Sequence, residues 1–370
     1  MYQIIIIGGG LAGLVNALQL SKAGLSVCLI EKKAYPFHKV CGEYVSNEVL
    51  SFLQSLGFDP FELGAKAIKR FELSAVSGVK TQAKLPLGGF SLSRYAFDEA
   101  LYQLCRTAGV EFIVEDEVSD VQQSERGFSV QTRKGRVLQA EIIIGAYGKR
   151  SSIDKALARS FIQKRTPYMG VKCHYEGDFP EDLVALHNFK GGYCGLSVVE
   201  TGFVNVCYLC WEDNLKDYKD IHAMELGLLA QNPHLKTVFE DWKPVFKAPL
   251  AISQIYFQSK SIVENGILMS GDAAGMIYPL SGNGMAMAIH SAKILSELLI
   301  LYFNKKLTRV ELEVQYIQAW KKAFGLRLRA GNTLQRFFGQ PYVSGTAVRA
   351  LRLLPFVTRQ VIKFTHGRKI

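Results

Sequence analysis

Cysteine is scarce and does not come in a pairable set: seven residues, an odd number, are scattered between positions 28 and 210 of the 370-residue chain. A disulfide-stapled fold is therefore not expected. The one close pair, Cys207 and Cys210, falls in FVNVCYLCW, whose alternation reads as a strand. Positions three apart in a strand point to opposite faces, so the two read as strand thiols and no metal site is assigned. The chain also lacks a charged leader, short apolar core and cleavage site, and starts directly on a buried-strand pattern. Export is not expected, and a reducing cytoplasm is the expected compartment. A membrane span is disfavoured as well, because the longest apolar helix pattern, residues 284–303, includes His290, Lys293 and Glu297. Internal repeats and low-complexity linkers are missing.

What is present fits an α/β protein of two interleaved lobes: 48% hydrophobic residues, 33 glycines and room for a sizeable core. Positive charge is concentrated at one end. Residues 304–370 contain 14 Lys/Arg against only Glu311 and Glu313, whereas the preceding 303 residues hold 30 basic and 31 acidic groups. No nucleic-acid partner is expected. Val348, Leu351, Leu354, Val357 and Val361 recur near helical spacing with Arg349, Arg352, Arg359 and Lys363 among them, and Pro355 should kink or divide such a helix. Residues 346–370 could thus rest on an anionic membrane surface, which would place the protein at the membrane periphery. Alternatively, the apolar stripe packs on the first lobe and only the charges face water.

The chain opens with the apolar run YQIIII, followed by a helical pattern ending at Gly24 and a second strand, SVCLIEK. This is a βαβ unit of about thirty residues, the setting of a dinucleotide site. A helix capped by Ser93 and closed by Gly109 continues the lobe, and a strongly alternating block over 168–211 reads as an inserted antiparallel sheet. The expected division is a Rossmann-like nucleotide-binding domain (1–67, 93–160 and 262–303), an inserted antiparallel β-sheet substrate domain (68–92 and 161–261) and a basic helical C-terminal region (304–370).

Gly8, Gly10 and Gly13 complete G-x-G-x-x-G between the first strand and its helix. The first glycine permits a tight turn, the second a close approach of backbone to pyrophosphate, and the third close packing of helix on strand. Glu31 ends the second strand, where a carboxylate accepts hydrogen bonds from an adenosine ribose and disfavours a 2′-phosphate. The nucleotide is therefore NAD or FAD rather than NADP, with Leu11, Ala12 and Lys32 as adjoining contacts. A second glycine turn, GDAAGMIYPLSGNGMA at 271–286, raises the question of why one chain needs two.

Gly271-Asp272 at the end of an apolar strand resembles the GD box of the glutathione-reductase-like flavoproteins, whose aspartate binds the ribityl chain of FAD. The run Pro279, Gly282, Gly284 is similar to that of the aromatic hydroxylases and geranylgeranyl reductases of that superfamily. The resemblance implies one extended FAD, with adenosine and pyrophosphate at 8–31 and the flavin end at 271–284, including Asn283. Free N–H groups of the helix beginning near Gly282 would stabilise the negative charge of reduced flavin. SRYAFDEAL resembles the segment whose arginine reaches the FAD phosphates, which implies Arg94 as a contact; a plain ion pair with Asp98 is the alternative. EDEVSDV is similar to the strand that meets the adenine, near Val118. KVCGEYVS resembles the CG loop of the reductase branch, which lies close to the isoalloxazine and would put Cys41 at the reaction.

Two departures limit this likeness. The hydroxylases' Asp-Gly pair, associated with FAD and NADPH, is here Tyr147-Gly148, so direct reduction by NAD(P)H is in doubt and a separate reductase or electron donor is an alternative. Of the prenyl reductases' Y-x-W-x-F-P signature only Tyr193 is kept. The resemblance implies an FAD-dependent monooxygenase acting on a hydrophobic or aromatic substrate, held near Cys41, Tyr193, Tyr278 and Pro279. The alternative is an FAD-dependent reductase of alkene bonds in a prenyl or lipid substrate. In either, the cofactor would supply the redox chemistry and the protein would orient and exclude water.

Overall fold

The computed structural model describes residues 1–124, 126–257, 260–276, 283–335, 341–353 and 367–370. Two sheets organise them. In the first, Tyr2–Ile7 lies between Val27–Glu31 and Val137–Gly145, both parallel to it, in registers Ile4↔Val27 and Ile7↔Gly145. Glu111–Val114 and Ile267–Met269 extend the parallel order on the two sides. Ile4, Ile5 and Ile6 are completely buried because helices cover the sheet, which explains an unbroken apolar run where a half-exposed strand would alternate. Each such side chain contributes about 1.5–3 kcal/mol.

The helix Leu11–Lys22 packs against both Arg94–Thr107 and Gly284–Phe303. Ser93 caps the middle one, accepting from the Ala96 N–H at 3.1 Å, and Gly109 follows its end with φ +89°. Among the described residues Gly284–Phe303 alone is long and apolar enough to cross a membrane, yet Met285, Ile289, Ala292, Leu295 and Leu299 face the protein core.

The second sheet is antiparallel except where Leu183–Phe189 runs parallel to Lys66–Ser74. Its strands Tyr168–Glu176, Val204–Trp211 and Gly192–Val198 alternate between two environments. Val171, Cys173, Val206, Tyr208 and Cys210 lie in a core with Met224, Leu235 and Val238 of the outer helices. In a strand, Gly170, Lys172, His174, Tyr193, Ser197, Asn205 and Cys207 must then face the other way. Cys207 and Cys210 thus point to opposite sides. The short strand Tyr44–Ser46, placed by the sequence with the nucleotide-binding residues 1–67, pairs with Lys80–Ser91 at the edge of this second sheet.

In the C-terminal region, Leu312, Tyr316, Trp320 and Phe324 form a buried stripe along Arg309–Gln335, which packs on Gly284–Phe303. Val348 of the helix Pro341–Leu353 is buried with Leu73 and Ala75 of the inserted sheet, not against the first lobe, while Arg349, Arg352 and Leu353 are exposed. Leu354, Pro355, Val357, Arg359, Val361 and Lys363 lie outside the described residues.

Candidate functional site

The first glycine turn has the anatomy that its spacing requires. Gly8 has φ +103°, and a Cβ there would lie 2.6 Å from the Ala146 carbonyl oxygen. A Cβ on Gly13 would collide with the Gly8 carbonyl oxygen, so the third glycine lets helix meet strand. Gly10 differs: the nearest atoms to a Cβ there are Arg94 Nη2 at 3.7 Å and Lys39 Nζ at 3.8 Å. The helix it opens has no side-chain cap and no acid in its first turn, so its leading N–H groups face a space bordered by two cations. That is an anion cradle.

Arg94 makes the ion pair with Asp98 that was the alternative to a phosphate contact, and its guanidinium also borders Gly10. It grips Asp98 through Nε at 2.9 Å and Nη2 at 2.7 Å, while Lys39 Nζ reaches the same carboxylate at 2.8 Å. Burial would raise the Asp98 carboxyl, but the two adjoining cations hold it below its ordinary value. Lys39 escaped the sequence reading because nothing local ties it to Gly10. Tyr35 was missed too: its hydroxyl donates to the Gly9 carbonyl at 2.7 Å, and its ring stacks on Tyr102 at 4.4 Å.

Glu31, nearly buried, accepts from the Gly9 N–H at 2.7 Å and the Lys33 N–H at 3.1 Å, while Lys32 is exposed. The chain beyond the neighbouring strand passes close by, since the Asp116 N–H donates to the Glu31 carbonyl at 3.4 Å. Val118, two residues further, is buried.

The two glycine turns touch. Gly271, with φ +64°, would put a Cβ 2.8 Å from the Ala12 Cβ, directly behind Gly10 and Leu11. Buried Asn16 joins them, donating to the Ala12 carbonyl at 2.7 Å and Ser270 Oγ at 3.1 Å and accepting from Ser296 Oγ at 2.9 Å. Burial raises the Asp272 carboxyl, opposed by Lys260, Arg94 and Lys149. Lys260 donates to the carbonyls of Lys149 at 2.7 Å and Asp272 at 2.8 Å, and burial brings the two lysines down to about 8. Asn283 precedes the helix that starts at Gly284. Tyr278, Pro279 and Gly282 lie outside the described residues.

The Cys41 loop lies across the inward face of the inserted sheet. The Cys41 carbonyl accepts from Asn205 Nδ2 at 3.2 Å, and the Gly42 carbonyl from Ser197 Oγ at 3.4 Å. Burial raises the Cys41 thiol despite nearby Arg94, so it stays protonated at neutral pH. Glu43 follows, fully buried at φ +55°. Its carboxylate accepts from the Arg94 N–H at 2.6 Å, from Lys172 Nζ, and meets His174 Nε2 at 2.8 Å. Burial alone would raise this carboxyl; Lys172 and His174 keep it low. The sequence held a signal for this cluster, because Lys172 and His174 are polar positions two apart in a strand where Met169, Val171 and Cys173 are apolar. His38, Glu43 and His174 bring donor atoms within 4.8 Å of one another, but the Lys172 ammonium already balances the carboxylate. On the same face Tyr193 belongs to an apolar group with Leu209, Ile255 and Phe257.

A glycine-flanked anion cradle with a carboxylate beside it, in contact with a second glycine turn bearing Asp272, is the setting of a dinucleotide site. The chain belongs to the FAD-binding-domain family, whose model matches residues 1–309. Its relatives include conditioned medium factor receptor 1 of Dictyostelium discoideum, 23% identical over 91% of this chain and 71% of the relative. Digeranylgeranylglycerophospholipid reductase of Methanosarcina mazei is 24% identical over 88% and 81%. Among solved structures, a flavin-dependent brominase covers 98% of this chain and 93% of its own at TM-score 0.78 and 18% identity. PqsL of Pseudomonas aeruginosa, described as a probable FAD-dependent monooxygenase, covers 94% and 99% at TM-score 0.75 and 15% identity. The cofactor is FAD. The residues present fit such a group chemically: open backbone N–H groups beside Arg94 and Lys39 suit a diphosphate, and the carboxylates of Glu31 and Asp272 suit sugar and ribityl hydroxyls.

Proposed function

We propose that the chain is an FAD-dependent monooxygenase of the glutathione-reductase-like superfamily, acting on a hydrophobic or aromatic substrate. Bound FAD would supply the redox chemistry, taking up electrons and passing one oxygen atom of O2 to the substrate. The observation that carries the reading is the apolar floor of Tyr193, Leu209, Ile255 and Phe257 on the sheet face over which the Cys41 loop is drawn. A dry floor holds an apolar substrate and keeps water from diverting a reactive oxygen species. Tyr147, which donates to Met269 Sδ at 3.2 Å, leaves no carboxylate at its position for a nicotinamide partner, so the electron donor is NAD(P)H in transient contact or a separate reductase.

A second reading, reduction of an alkene in a prenyl or lipid chain, is favoured by Cys41: a half-buried thiol kept protonated is a proton source for a carbon centre. The Methanosarcina relative supports it as well. Stopped-flow mixing of the reduced protein with O2 separates the two. An oxygen-dependent transient absorbance that decays faster with substrate supports the monooxygenase. Reoxidation without a transient, together with anaerobic reduction of an alkene, supports the reductase.

The basic C-terminal region is proposed to rest on an anionic bilayer where such a substrate dissolves. Support comes from the helix Pro341–Leu353, which turns Val348 inward and leaves Arg349, Arg352 and Leu353 exposed.

A further inference from the structure

Glu43 sits where the two sheets meet, and its contacts come from two distant parts of the chain, Leu92 with Arg94 and Lys172 with His174. Its Oε1 receives the backbone N–H of Arg94, the first residue of the helix whose guanidinium borders Gly10. Lys172 Nζ and His174 Nε2 reach it from the inserted sheet, and its own carbonyl accepts from the Leu92 N–H at 3.1 Å. Two residues earlier, Cys41 is tied to Asn205 through its carbonyl. A left-handed backbone at a non-glycine residue costs about 1 kcal/mol or more and persists only where the surroundings fix it. Here a fully buried carboxylate with three donors fixes it.

A buried lysine and a buried carboxylate are each costly alone, so the pair makes one arrangement of the loop far more favourable than any that separates them. His38 extends the cluster toward solvent, its ring 5.3 Å from that of His174 and 4.6 Å from Phe246. Nothing in this set forms or breaks a covalent bond; it places other groups.

We propose that Glu43, clamped by Lys172 and His174, is the positioning residue that sets Arg94 against the FAD diphosphate and Cys41 against the inserted sheet in one geometry. The assignment rests on the FAD reading for its Arg94 half only; the Cys41 half stands without cofactor. Binding at the first glycine turn and the placement of the Cys41 loop over the substrate floor are therefore coupled through a single side chain.

The test uses the full chain with Glu43→Ala, Glu43→Gln and the double variant Glu43→Gln/Lys172→Met. FAD affinity is measured by fluorescence titration, and alkylation of Cys41 by peptide mapping with and without FAD. Glu43→Ala should weaken FAD at least tenfold and speed Cys41 alkylation at least tenfold. Glu43→Gln strands the Lys172 charge and should fall part of the way. The double variant keeps an acceptor for the Arg94 N–H without the stranded charge, and should return both readouts to within about threefold of wild type. That rescue separates positioning from a general loss of stability, and decides the matter if Glu43→Ala does not fold. A folded Glu43→Ala or Glu43→Gln with unchanged affinity and unchanged alkylation would overturn the proposal, as would a double variant no better than the single. Cys41 protection in the wild type that needs Zn2+ and vanishes with chelator would assign the cluster to a metal instead. If the wild type takes up no FAD but its alkylation pattern follows these expectations, the cofactor reading fails and the loop-positioning half survives.

Discussion

Asn16 donates from Nδ2 to Ser270 Oγ at 3.1 Å although 254 positions separate them. One buried amide thereby welds the helix of the first glycine turn to the strand end of the second, and Gly271 meets Ala12 alongside. This contact holds the two turns together. Asn16→Ala should leave the hydroxyls of Ser270 and Ser296 without their amide partner, at a cost of about 1–3 kcal/mol in denaturant unfolding. Gly271→Ala should be worse for cofactor than for fold, since its Cβ pushes on Ala12 from a left-handed backbone. An Asn16→Ala protein as stable as wild type would remove this weld from the account.

Lys39 and Arg94 share Asp98 and border Gly10. Lys39→Met and Arg94→Met should each weaken FAD about tenfold or more, with an affinity less sensitive to salt than that of the wild type. Fluorescence titration at low and high ionic strength checks this. Equal salt dependence in all three proteins would show that neither cation meets the diphosphate.

Glu225 provides a pH test of the inserted domain. Burial raises its carboxyl to about 7, and the Tyr208 hydroxyl donates to it at 3.0 Å. The folded state then binds the proton more tightly than the unfolded one, whose value is the ordinary 4.5. Stability contributed by this group is therefore full below about 4.5 and is lost as pH rises toward about 7, by up to about 3 kcal/mol. Glu225→Gln should flatten the wild-type curve across that window. Parallel curves for the two proteins would contradict it.

Much of the first lobe was legible because its determinants are local. Gly8, Gly10, Gly13 and Glu31 lie in one βαβ unit; Gly8 and Gly13 are required by the close approaches that their positions in the motif give, and Glu31 holds the Gly9 N–H of the same turn. The helix cap at Ser93 and the opposite faces of Cys207 and Cys210 follow from periodicity alone. Glu43 was not legible as a junction, because Lys172 and His174 stand 129 and 131 positions away and only the fold brings them to it. Lys39 escaped for the same reason, 59 positions from Asp98. Of the two readings of the tail, a membrane surface or packing on the first lobe, the second names the wrong partner for Val348, which packs on the inserted sheet: an apolar stripe announces burial without naming its partner.

The exposed cations of the C-terminal region predict co-sedimentation with vesicles containing anionic lipid, weakened by salt and absent with neutral lipid. The comparison is the full chain against one truncated after Gly345. Each basic residue near the surface contributes about 1 kcal/mol, so several acting together give measurable binding. Full-length protein that stays in the supernatant at low salt would leave this region a purely structural role.

Cofactor release from wild type and Asp272→Ala tests the central claim, that both glycine turns hold one FAD, most directly. Denatured wild type should release FAD in equal proportion to chain. Asp272→Ala should remain folded by circular dichroism and bind FAD at least tenfold more weakly. Release of FMN or NAD from the wild type, or a folded Asp272→Ala that holds FAD as tightly, would contradict a single cofactor spanning the two turns.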